Sequence, residues 1–391
     1  MKKILVPLPF EQWGGLHEMV LTIHSDLVKK GFLLIPLIPK NSKFIHNRFR
    51  SKKIRIIKAN LTRPRKSFNI FFNIKFIFLI LRDILLIGRI IKKENIKIVQ
   101  VSGIQNFHYL IAAKIYKCSL VCQIHSDALP ILFRQILSPL TILLSDVIMI
   151  NGKYIQKKFY LIQEYTKKNK KILFYPGIDI SKFAFSNNQR FLSKKILKIP
   201  NNNIVIGTIG NQVTAKAHER IIDIIQIFKF INKINFIILG GSIHSNAKYY
   251  KDKVIKPAEK LGLFKNNKLQ IIDAKSKINK YLPAFDIFVL TSKYEGIPIA
   301  LIEAMASGNP VVTTNVGSIN EVVKNYSNGF ISKNKDFNLT FFKNSLTKLI
   351  NNKTLKNKIS NNNKKLVRIN FTIEKLVDKH LKAYQISTLK N

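Results

Sequence analysis

The segment that decides the fold runs from Thr291 to Val323 and reads TSKYEGIPIALIEAMASGNPVVTTNVGSINEVV. The apolar run IFVL at 287–290 precedes it and predicts a buried strand. Pro298 disfavours helix at the residue before it and suits the first helical position itself, so a helix is predicted from Pro298 to about Ser307. Gly308 can end that helix in the left-handed conformation. A strand, a loop, a helix and a second strand therefore follow one another, which is the repeating unit of a parallel sheet.

The rest of the chain repeats this alternation of short apolar runs and helical patterns. Strands are predicted at 4–6, 33–37, 96–101, 120–125, 147–150 and 172–175, then at 204–209, 236–239, 269–272, 287–290 and 311–314. Continuous apolar strands that alternate with helices indicate parallel sheets covered on both faces. The predicted fold class is α/β, with two Rossmann-like domains that face each other across a cleft.

Domain boundaries are expected where the pattern breaks. Pro176-Gly177 and the polar stretch from Ser186 to Asn203 separate the two series of strands. We predict an N-terminal domain at 1–184, a C-terminal domain at 185–370, and a final helix at 371–391 that crosses back onto the N-terminal domain. In such sheets ligands bind at the carboxyl ends of the strands.

The composition limits the classes of function that the chain can have. The net charge of +45 comes from 66 Lys and Arg against 21 Asp and Glu, and it attracts anions such as nucleotides, nucleic acid or anionic lipid. Abundant Lys, Asn and Ile also fit an A/T-biased genome, so the charge alone does not identify a partner. Cys118 and Cys122 form no disulfide framework, which fits a reducing cytoplasm. The first ten residues resemble a signal peptide, but two prolines interrupt their short apolar stretch, so a buried strand is expected there.

The segment from Phe68 to Ile91 is the most apolar in the chain. Lys75, Arg82, Asp83 and Arg89 interrupt it, whereas a membrane span needs ~20 mostly apolar residues. Two interpretations stay open: a helix that packs on the core before a strand, or an interfacial helix with cationic flanks. The second would place the protein on the inner face of the plasma membrane.

Two carboxylates flank the predicted helix start. Glu295 lies in the loop before the helix, and Glu303 lies on its second turn. The free N–H groups of the first turn and the positive end of the helix dipole form a site for a diphosphate. Carboxylates beside an anion site need a hydroxyl or a cation, and a nucleotide sugar supplies hydroxyls from ribose and hexose. In the alternative interpretation Glu295 only caps the helix and Glu303 is merely exposed.

This spacing resembles the hallmark of family 4 (group 1) glycosyltransferases, which have the GT-B fold. In EGIPIALIEAMASGNPVV seven residues separate Glu295 from Glu303, and Gly317-Ser318-Ile319-Asn320-Glu321 resembles the small-residue loop that follows in that family. Four further matches cover nearly the whole chain: Gly14-Gly15 as the N-terminal glycine loop, His125 at a strand end, Tyr175 to Asp179 as the interdomain link, and Phe371 to Tyr384 as the final helix.

The resemblance implies a retaining glycosyltransferase that moves a hexose-type sugar from UDP- or GDP-sugar to a cell-envelope glycan or a lipid-linked acceptor. It implies that Glu303 binds the ribose, that Glu295 contacts the transferred sugar, that Lys216 neutralises the leaving diphosphate, and that His125 lies near the sugar or the acceptor. The catalytic set is thus Glu295, His125 and Lys216. The other donor-binding positions are Gly14, Gly15, Gly210, Asn211, Gly296, Ile297, Pro298, Ile299, Gly317 and Glu321, with the backbone of Asp273 to Ser276 near the base. No cofactor and no metal are expected.

One departure from the family pattern bears on activity. In GNQVTAKA, Asn211 stands where the family has an arginine that grips the diphosphate, and Ala217 follows Lys216 where the family has glycine. An asparagine carries no charge and cannot replace a bidentate guanidinium. Either Arg220 substitutes, or donor affinity is reduced.

Three other classes remain as alternatives: a catalytically weakened member of this fold, a nucleotide-sugar epimerase, and a basic nucleic-acid-binding protein. Epimerases of the fold generally lack the paired glutamates. Nucleic-acid binders cluster their basic residues with aromatic ones, and here the basic residues are spread along the chain, so no nucleic-acid partner is expected.

Overall fold

The computed structural model describes residues 1–11, 13–62, 70–127, 129–241, 246–274 and 277–389. At residues 70–76 and 266 only the backbone is described. They divide into two compact units: unit 1 is Met1–Gly177 with Ile373–Asn391, and unit 2 is Ile178–Thr372. Phe68, where the most apolar segment begins, and Ser276 of the predicted base loop lie outside the described residues.

Unit 1 is built on a parallel sheet of seven strands. In chain order its elements are β1 (Lys2–Pro7), α1 (Gly15–Lys29), β2 (Phe32–Pro39), α2 (Lys43–Ser51), β3 (Ile57–Ala59), α3 (Ile70–Glu94), β4 (Ile98–Ser102), α4 (Phe107–Ile115), β5 (Ser119–Ile124), α5 (Ile131–Leu144), β6 (Val147–Asn151), α6 (Lys153–Lys158), α7 (Tyr160–Tyr165) and β7 (Lys171–Phe174). The strand order is β3-β2-β1-β4-β5-β6-β7, so the direction of winding reverses between β1 and β4. A reversal of this kind is where doubly wound sheets bind ligands.

Unit 2 repeats the arrangement with six parallel strands. Its elements are α8 (Asn187–Ile196), β8 (Ile204–Ile209), α9 (Glu219–Phe228), β9 (Ile234–Leu239), α10 (Ala247–Tyr250), α11 (Lys256–Lys260), β10 (Leu269–Ile272), α12 (Ile278–Tyr281), β11 (Ile287–Leu290), α13 (Ile299–Ala306), β12 (Val311–Thr313), α14 (Ile319–Val322), β13 (Gly329–Ile331), α15 (Leu339–Asn351) and α16 (Lys353–Asn370). The order β10-β9-β8-β11-β12-β13 places the reversal between β8 and β11.

The last helix, α17 (Ile373–Thr388), belongs to unit 1 although it follows unit 2 in the chain. It packs beside α1 and on β5 to β7. Leu376, Val377 and Tyr384 are buried there with residues of β1 and α1. The core of unit 1 therefore includes a segment from the far end of the chain.

The polar stretch from Ser186 to Asn203, predicted as a boundary, is mostly the helix α8. Its N-terminus has a capping box, because the Ser186 hydroxyl accepts a hydrogen bond from the Gln189 N–H at 3.2 Å and the Gln189 side chain accepts one from the Ser186 N–H at 2.8 Å. Polar residues thus start a helix here and do not mark a linker.

Ion pairs hold α8 in unit 2. Arg190 forms a salt bridge with Asp286. Lys194, only 2% exposed, donates to the carbonyl of Asn201 at 2.9 Å, and burial lowers the pKa of its ammonium group. The boundary between the two units lies earlier in the chain than predicted, directly after Gly177. The N–H of Ile178 donates to the carbonyl of Phe371 at 2.9 Å, so Ile178 already belongs to unit 2.

The helix predicted from Pro298 is α13, and its ends differ slightly from the expectation. Pro298 has an extended backbone and precedes the first helical residue, Ile299. Gly308 has φ of +81° and donates its N–H to Met305 at 3.0 Å, so it ends the helix as predicted.

Helix α3 buries Ile87 and Ile91 in the core of unit 1, as the core-packing interpretation requires. Among the residues that the structure describes, no helix is long and apolar enough to cross a membrane.

Acid should destabilise the protein through its buried histidines. Burial lowers the pKa of five of them from 6.5 to about 3 or 4: His17, His108, His125, His218 and His380. Between these values the unfolded chain binds protons that the folded chain does not, so stability falls as pH falls, by up to about 1.4 kcal/mol per pH unit and histidine. The thermal midpoint should drop markedly from about pH 7 to about pH 5 and stay nearly constant from about pH 7 to about pH 8. A midpoint that does not change on acidification would contradict this account.

Candidate functional site

The carboxyl ends of β8 and β11 lie side by side in unit 2. These strands are parallel neighbours, with Ile206 opposite Ile287 and Gly207 opposite Phe288. Their following loops therefore begin at the same edge of the sheet, where the winding reverses. The first loop carries Lys216 and the second carries Glu295, so the fold brings two of the predicted catalytic residues together.

Lys216 and Glu295 form an ion pair between the Nζ and Oε1 atoms. Their side chains are only 20% and 10% exposed, so solvent screens the pair weakly. The Ser292 hydroxyl donates to the same carboxylate oxygen at 2.7 Å. This contact was not predicted: the sequence assigned the two residues to different parts of the donor.

Backbone contacts hold the two loops together. The N–H of Lys293 donates to the carbonyl of Ala215 at 2.8 Å, and the Thr291 hydroxyl donates to the carbonyl of Ala217 at 3.2 Å. Ala217 has φ of +51° and is fully buried. It adopts the left-handed conformation that favours glycine, the residue that the resembling family has at this position.

Glycines allow the neighbouring loops to approach closely. The Lys216 side chain passes over Gly210, where an added Cβ would lie 3.0 Å from the lysine Cδ. A Cβ on Gly240, after β9, would lie 1.8 Å from the Gly210 carbonyl oxygen, closer than any side chain permits. Gly240 was missed at the sequence level, although a Gly-Gly pair directly after a predicted strand is a usable signal.

Three positions that directly follow neighbouring strands meet beyond these loops. Asn211, Gly241 and Asp273 follow β8, β9 and β10, which are adjacent strands. A Cβ on Gly241 would lie 3.6 Å from Asp273 Oδ1 and 3.7 Å from Asn211 Oδ1, so both oxygens border the same place. Asp273 begins the loop in which the base contact is predicted.

The start of α13 is fixed by the loop that follows β12. The N–H of Ser318 donates to the Gly296 carbonyl at 3.1 Å. Gly317 has φ of +59°, and a Cβ there would lie 1.9 Å from the Glu295 carbonyl oxygen. Ile297 is buried. The first N–H groups of α13 have no acceptor within the helix, because no helical turn precedes them. The loop thus presents a helix N-terminus beside the ion pair, which is suited to an anion.

Glu303 lies on α13 one turn after Ile299, on the same side of the helix. Its side chain is partly exposed, whereas Ile302 and Ala304 on either side are buried. Glu321, on the short helix α14, is also partly exposed. The predicted pair of glutamates is therefore placed before and along one helix.

Arg220, suggested as a substitute for the missing arginine, has other partners in the structure. Its guanidinium donates to the Thr291 carbonyl at 2.9 Å and lies 5.2 Å from the ring centre of Phe337. Arg220 thus stabilises the residue that follows β11. The charged group at the loop after β8 is Lys216.

In unit 1 the predicted residues lie at the carboxyl edge of the other sheet. Gly14 caps the start of α1 with an extended backbone, and Gly15 is its first residue. The N–H of Gly14 donates to Nδ1 of the buried His17 at 3.3 Å. A Cβ on Gly14 would meet nothing within 4 Å, so space is open beside this loop.

His125 follows directly after β5 and is held by a buried polar network. Its Nε2 hydrogen-bonds to the Gln123 side-chain oxygen at 3.2 Å, and the Gln123 amide donates to His380 at 2.8 Å. Burial, assisted by nearby His380, lowers the pKa of His125 to about 3. The imidazole is therefore neutral near pH 7. Gln123 and His380 were missed, because 257 positions separate them in the sequence.

Within the described part of the chain, no three His, Cys, Asp or Glu side chains are grouped so that they could hold a metal ion. The expectation of a metal-independent site stays a prediction.

Substitution of Gly317 tests how closely the loop after β12 approaches the start of α13. Gly317→Ala should lower the free energy of unfolding by at least about 2 kcal/mol, because a left-handed alanine is strained and its Cβ overlaps the Glu295 carbonyl. The control is Gly262→Ala: φ is +66° there, but nothing lies within 4 Å, so about 1 kcal/mol is expected. Urea unfolding of both variants measures the difference, and equal losses would contradict the close approach.

Comparison with known proteins bears on this site. Residues 189–366 match the family model described as "Glycosyl transferases group 1". The chain is 30% identical over 212 residues to the Escherichia coli UDP-Gal:alpha-D-GlcNAc-diphosphoundecaprenol alpha-1,3-galactosyltransferase, covering 52% of this chain and 51% of that protein. It is 32% identical over 201 residues to the Staphylococcus aureus capsular polysaccharide biosynthesis glycosyltransferase CapM, covering 50% and 49%. The chain thus spans about half the length of these relatives.

Solved structures share the fold along the whole chain. Anabaena Alr3699/HepE, crystallised with UDP and glucose, has a TM-score of 0.80 at 17% identity and covers 98% of this chain and 100% of its own. Sucrose-phosphate synthase from Thermosynechococcus elongatus has a TM-score of 0.79 at 14% identity and covers 100% of both chains.

The predicted GT-B fold is confirmed by these structures. The family match covers the ion pair, the α13 loop and both glutamates. Residues 189–366 of this chain are therefore similar to group 1 glycosyltransferases.

Proposed function

We propose that this chain is a retaining glycosyltransferase of family 4 that transfers a hexose-type sugar from UDP- or GDP-sugar to a cell-envelope glycan or lipid-linked acceptor. The observation that carries the proposal is the Lys216–Glu295 pair, which joins the carboxyl ends of β8 and β11 beside the start of α13. It lies in the domain that matches the glycosyltransferase family. One named relative is a galactosyltransferase that acts on GlcNAc-diphosphoundecaprenol, and the other belongs to capsular polysaccharide biosynthesis, which supports the class of acceptor.

The donor diphosphate would bind between Lys216 and the first amides of α13. In the structure the ammonium group of Lys216 neutralises Glu295. A bound diphosphate would exchange with that carboxylate as the partner of Lys216, and Glu295 would then accept hydrogen bonds from hydroxyls of the sugar. Glu303, one turn along α13, would hold the ribose hydroxyls. The loops around Asn211 and Asp273 border the place proposed for the base.

In the reaction the bond between the anomeric carbon and the diphosphate oxygen breaks, and an acceptor oxygen bonds to that carbon from the same face. The acceptor proton passes to the departing phosphate oxygen. Negative charge grows on the diphosphate, so Lys216 and the helix amides would stabilise the transition state more than the ground state. These groups supply the charge stabilisation that a metal ion would otherwise give, so no metal is proposed.

Unit 1 would contribute the acceptor side. His125 has a neutral imidazole and can form hydrogen bonds to hydroxyls of the sugar or acceptor without adding charge. The open space beside Gly14 suits close approach of a ligand to the backbone. A lipid-linked acceptor would bring the enzyme to the cytoplasmic face of the plasma membrane.

Metal-free binding of a nucleoside diphosphate tests the donor site. One of UDP, GDP and ADP should bind in calorimetry with EDTA present, and Glu303→Ala should weaken that binding by about 1–3 kcal/mol through the lost ribose hydrogen bonds. Glu259→Ala, on the exposed side of α11, is the matched control and should bind normally. If none of the three binds, Asn211 has disabled the diphosphate site and the weakened alternative replaces this proposal.

Lys216→Met tests the role of the ammonium group in catalysis. Loss of a charge that stabilises the leaving group should lower kcat by about 10²–10³, with a smaller change in KM for the donor. Lys260→Met, exposed on α11, is the control. Release of diphosphate and the linkage of the product distinguish transfer from epimerisation. A Lys216 variant with unchanged kcat would overturn the assignment.

A further inference from the structure

Five helices of unit 1 form one layer over its sheet. Right-handed crossovers place α3 to α7 on the same face, because β4, β5, β6 and β7 are added in order on one side of β1. The buried side chains agree: residues of α3, α4, α6 and α7 share a core with Leu5, Val99 and Leu120. Helices α1, α2 and α17 contribute to a separate core on the other face.

The outward side of this layer is unusually apolar. Among the side chains that the structure describes, twelve large apolar or aromatic ones of this layer are exposed, and we name them together the outer apolar surface: Ile77, Phe78, Leu81 and Leu85 on α3, Ile115 on α4, Ile131, Leu132, Phe133, Ile136 and Leu143 on α5, and Tyr160 and Tyr165 on α7. On α3 these four residues form one stripe beside the buried side of the helix. A patch of this kind marks an interaction surface.

Helix α5 shows the pattern most clearly. Its sequence ILFRQILSPLTILL has a single charged residue, Arg134, whose guanidinium donates to the Lys158 carbonyl at 3.1 Å. Leu143 is 76% exposed and Leu132 is 60% exposed, values typical of charged side chains. In contrast, Phe44 is the only large apolar residue described as exposed on α1, α2 and α17.

Charge identifies the partner that fits this surface. Helices α3 to α7 contain ten Lys and Arg residues against three Asp and Glu. Of the acidic residues, Asp83 is buried and paired with Arg82, and Glu94 is paired with Arg55. A second copy of the chain would bring like charges together, whereas an anionic bilayer would complement them. Tyrosines such as Tyr160 and Tyr165 are favoured where apolar and wet regions meet.

We infer that the outer apolar surface lies on an anionic lipid bilayer, with its side chains inserted at the boundary between headgroups and acyl chains. Exposed lysines of the same helices, including Lys93 on α3 and Lys157 on α6, would contact lipid headgroups. Unit 1 would then be a monotopic membrane module whose binding needs no donor and no catalysis. The inference therefore goes beyond the proposed function and can fail independently of it.

Sedimentation of the full chain with vesicles tests this surface. The wild type should bind vesicles of phosphatidylcholine mixed with phosphatidylglycerol and bind vesicles of pure phosphatidylcholine far more weakly. Leu81→Gln with Ile136→Gln should lower binding by about tenfold or more, and Lys93→Gln with Lys157→Gln should lower it by a similar factor. Phe230→Gln with Ile231→Gln, two exposed apolar residues of unit 2, is the matched control and should bind normally.

Two further measurements separate the outcomes. Thermal unfolding shows that each variant is folded, and sedimentation velocity without lipid gives the oligomeric state. Wild-type chain that binds no anionic vesicles overturns the inference. So does a wild-type dimer that Leu81→Gln with Ile136→Gln converts to monomers, since the surface would then join two copies. Vesicle binding without any nucleotide binding would leave this inference standing and count against the proposed donor site only.

Discussion

The loops at the carboxyl edge of the unit 2 sheet depend on one contact, the ion pair between Lys216 and Glu295. Both side chains are largely withdrawn from water, and a charge in that position is costly unless it is paired. The pair forms only if the loops after β8 and β11 begin at the same level along the strand direction, which the parallel register of those strands ensures. The glycines at 210, 240 and 317 follow from the same requirement, because each lets a backbone approach that a side chain would block. An arrangement held this closely keeps a cation and a helix N-terminus beside each other.

The sequence predicted the parts of this site that local chemistry determines. Apolar runs such as 204–209 and 287–290 have no other place than the interior of a parallel sheet, and Pro298 with Gly308 delimits α13 to within about one residue. The sequence-based prediction failed at α8, where most of the residues are polar. This helix is stabilised by a capping box and by a salt bridge with Asp286, which is far away in the sequence. The three-residue strands β3 and β13 were also missed, since so few residues show no periodicity.

The histidine network shows a second limit. His125 stands out as a polar residue at a strand end, but its pKa is lowered by burial and, to a smaller extent, by His380 of α17, and Gln123 holds its ring. His380 donates from Nδ1 to the Leu376 carbonyl at 2.9 Å, which leaves Nε2 to accept from the Gln123 amide. A property of a residue in the first third of the chain is thus set in part by the last helix. No pattern in the sequence reports that contact, because only the folding of unit 1 creates it.

The charge of the chain also has a physical consequence for the apolar layer of unit 1. A protein with so many exposed apolar side chains on one face is at risk of associating with itself. A net charge of +45 opposes that association, since copies of the chain repel one another, while it attracts anionic surfaces. Genome bias can explain why lysine is abundant, but it does not explain why α5 has one charged residue in fourteen. The scarcity of charge on that helix, within a chain otherwise rich in it, is the stronger sign that the outward face of α5 is adapted to an apolar environment.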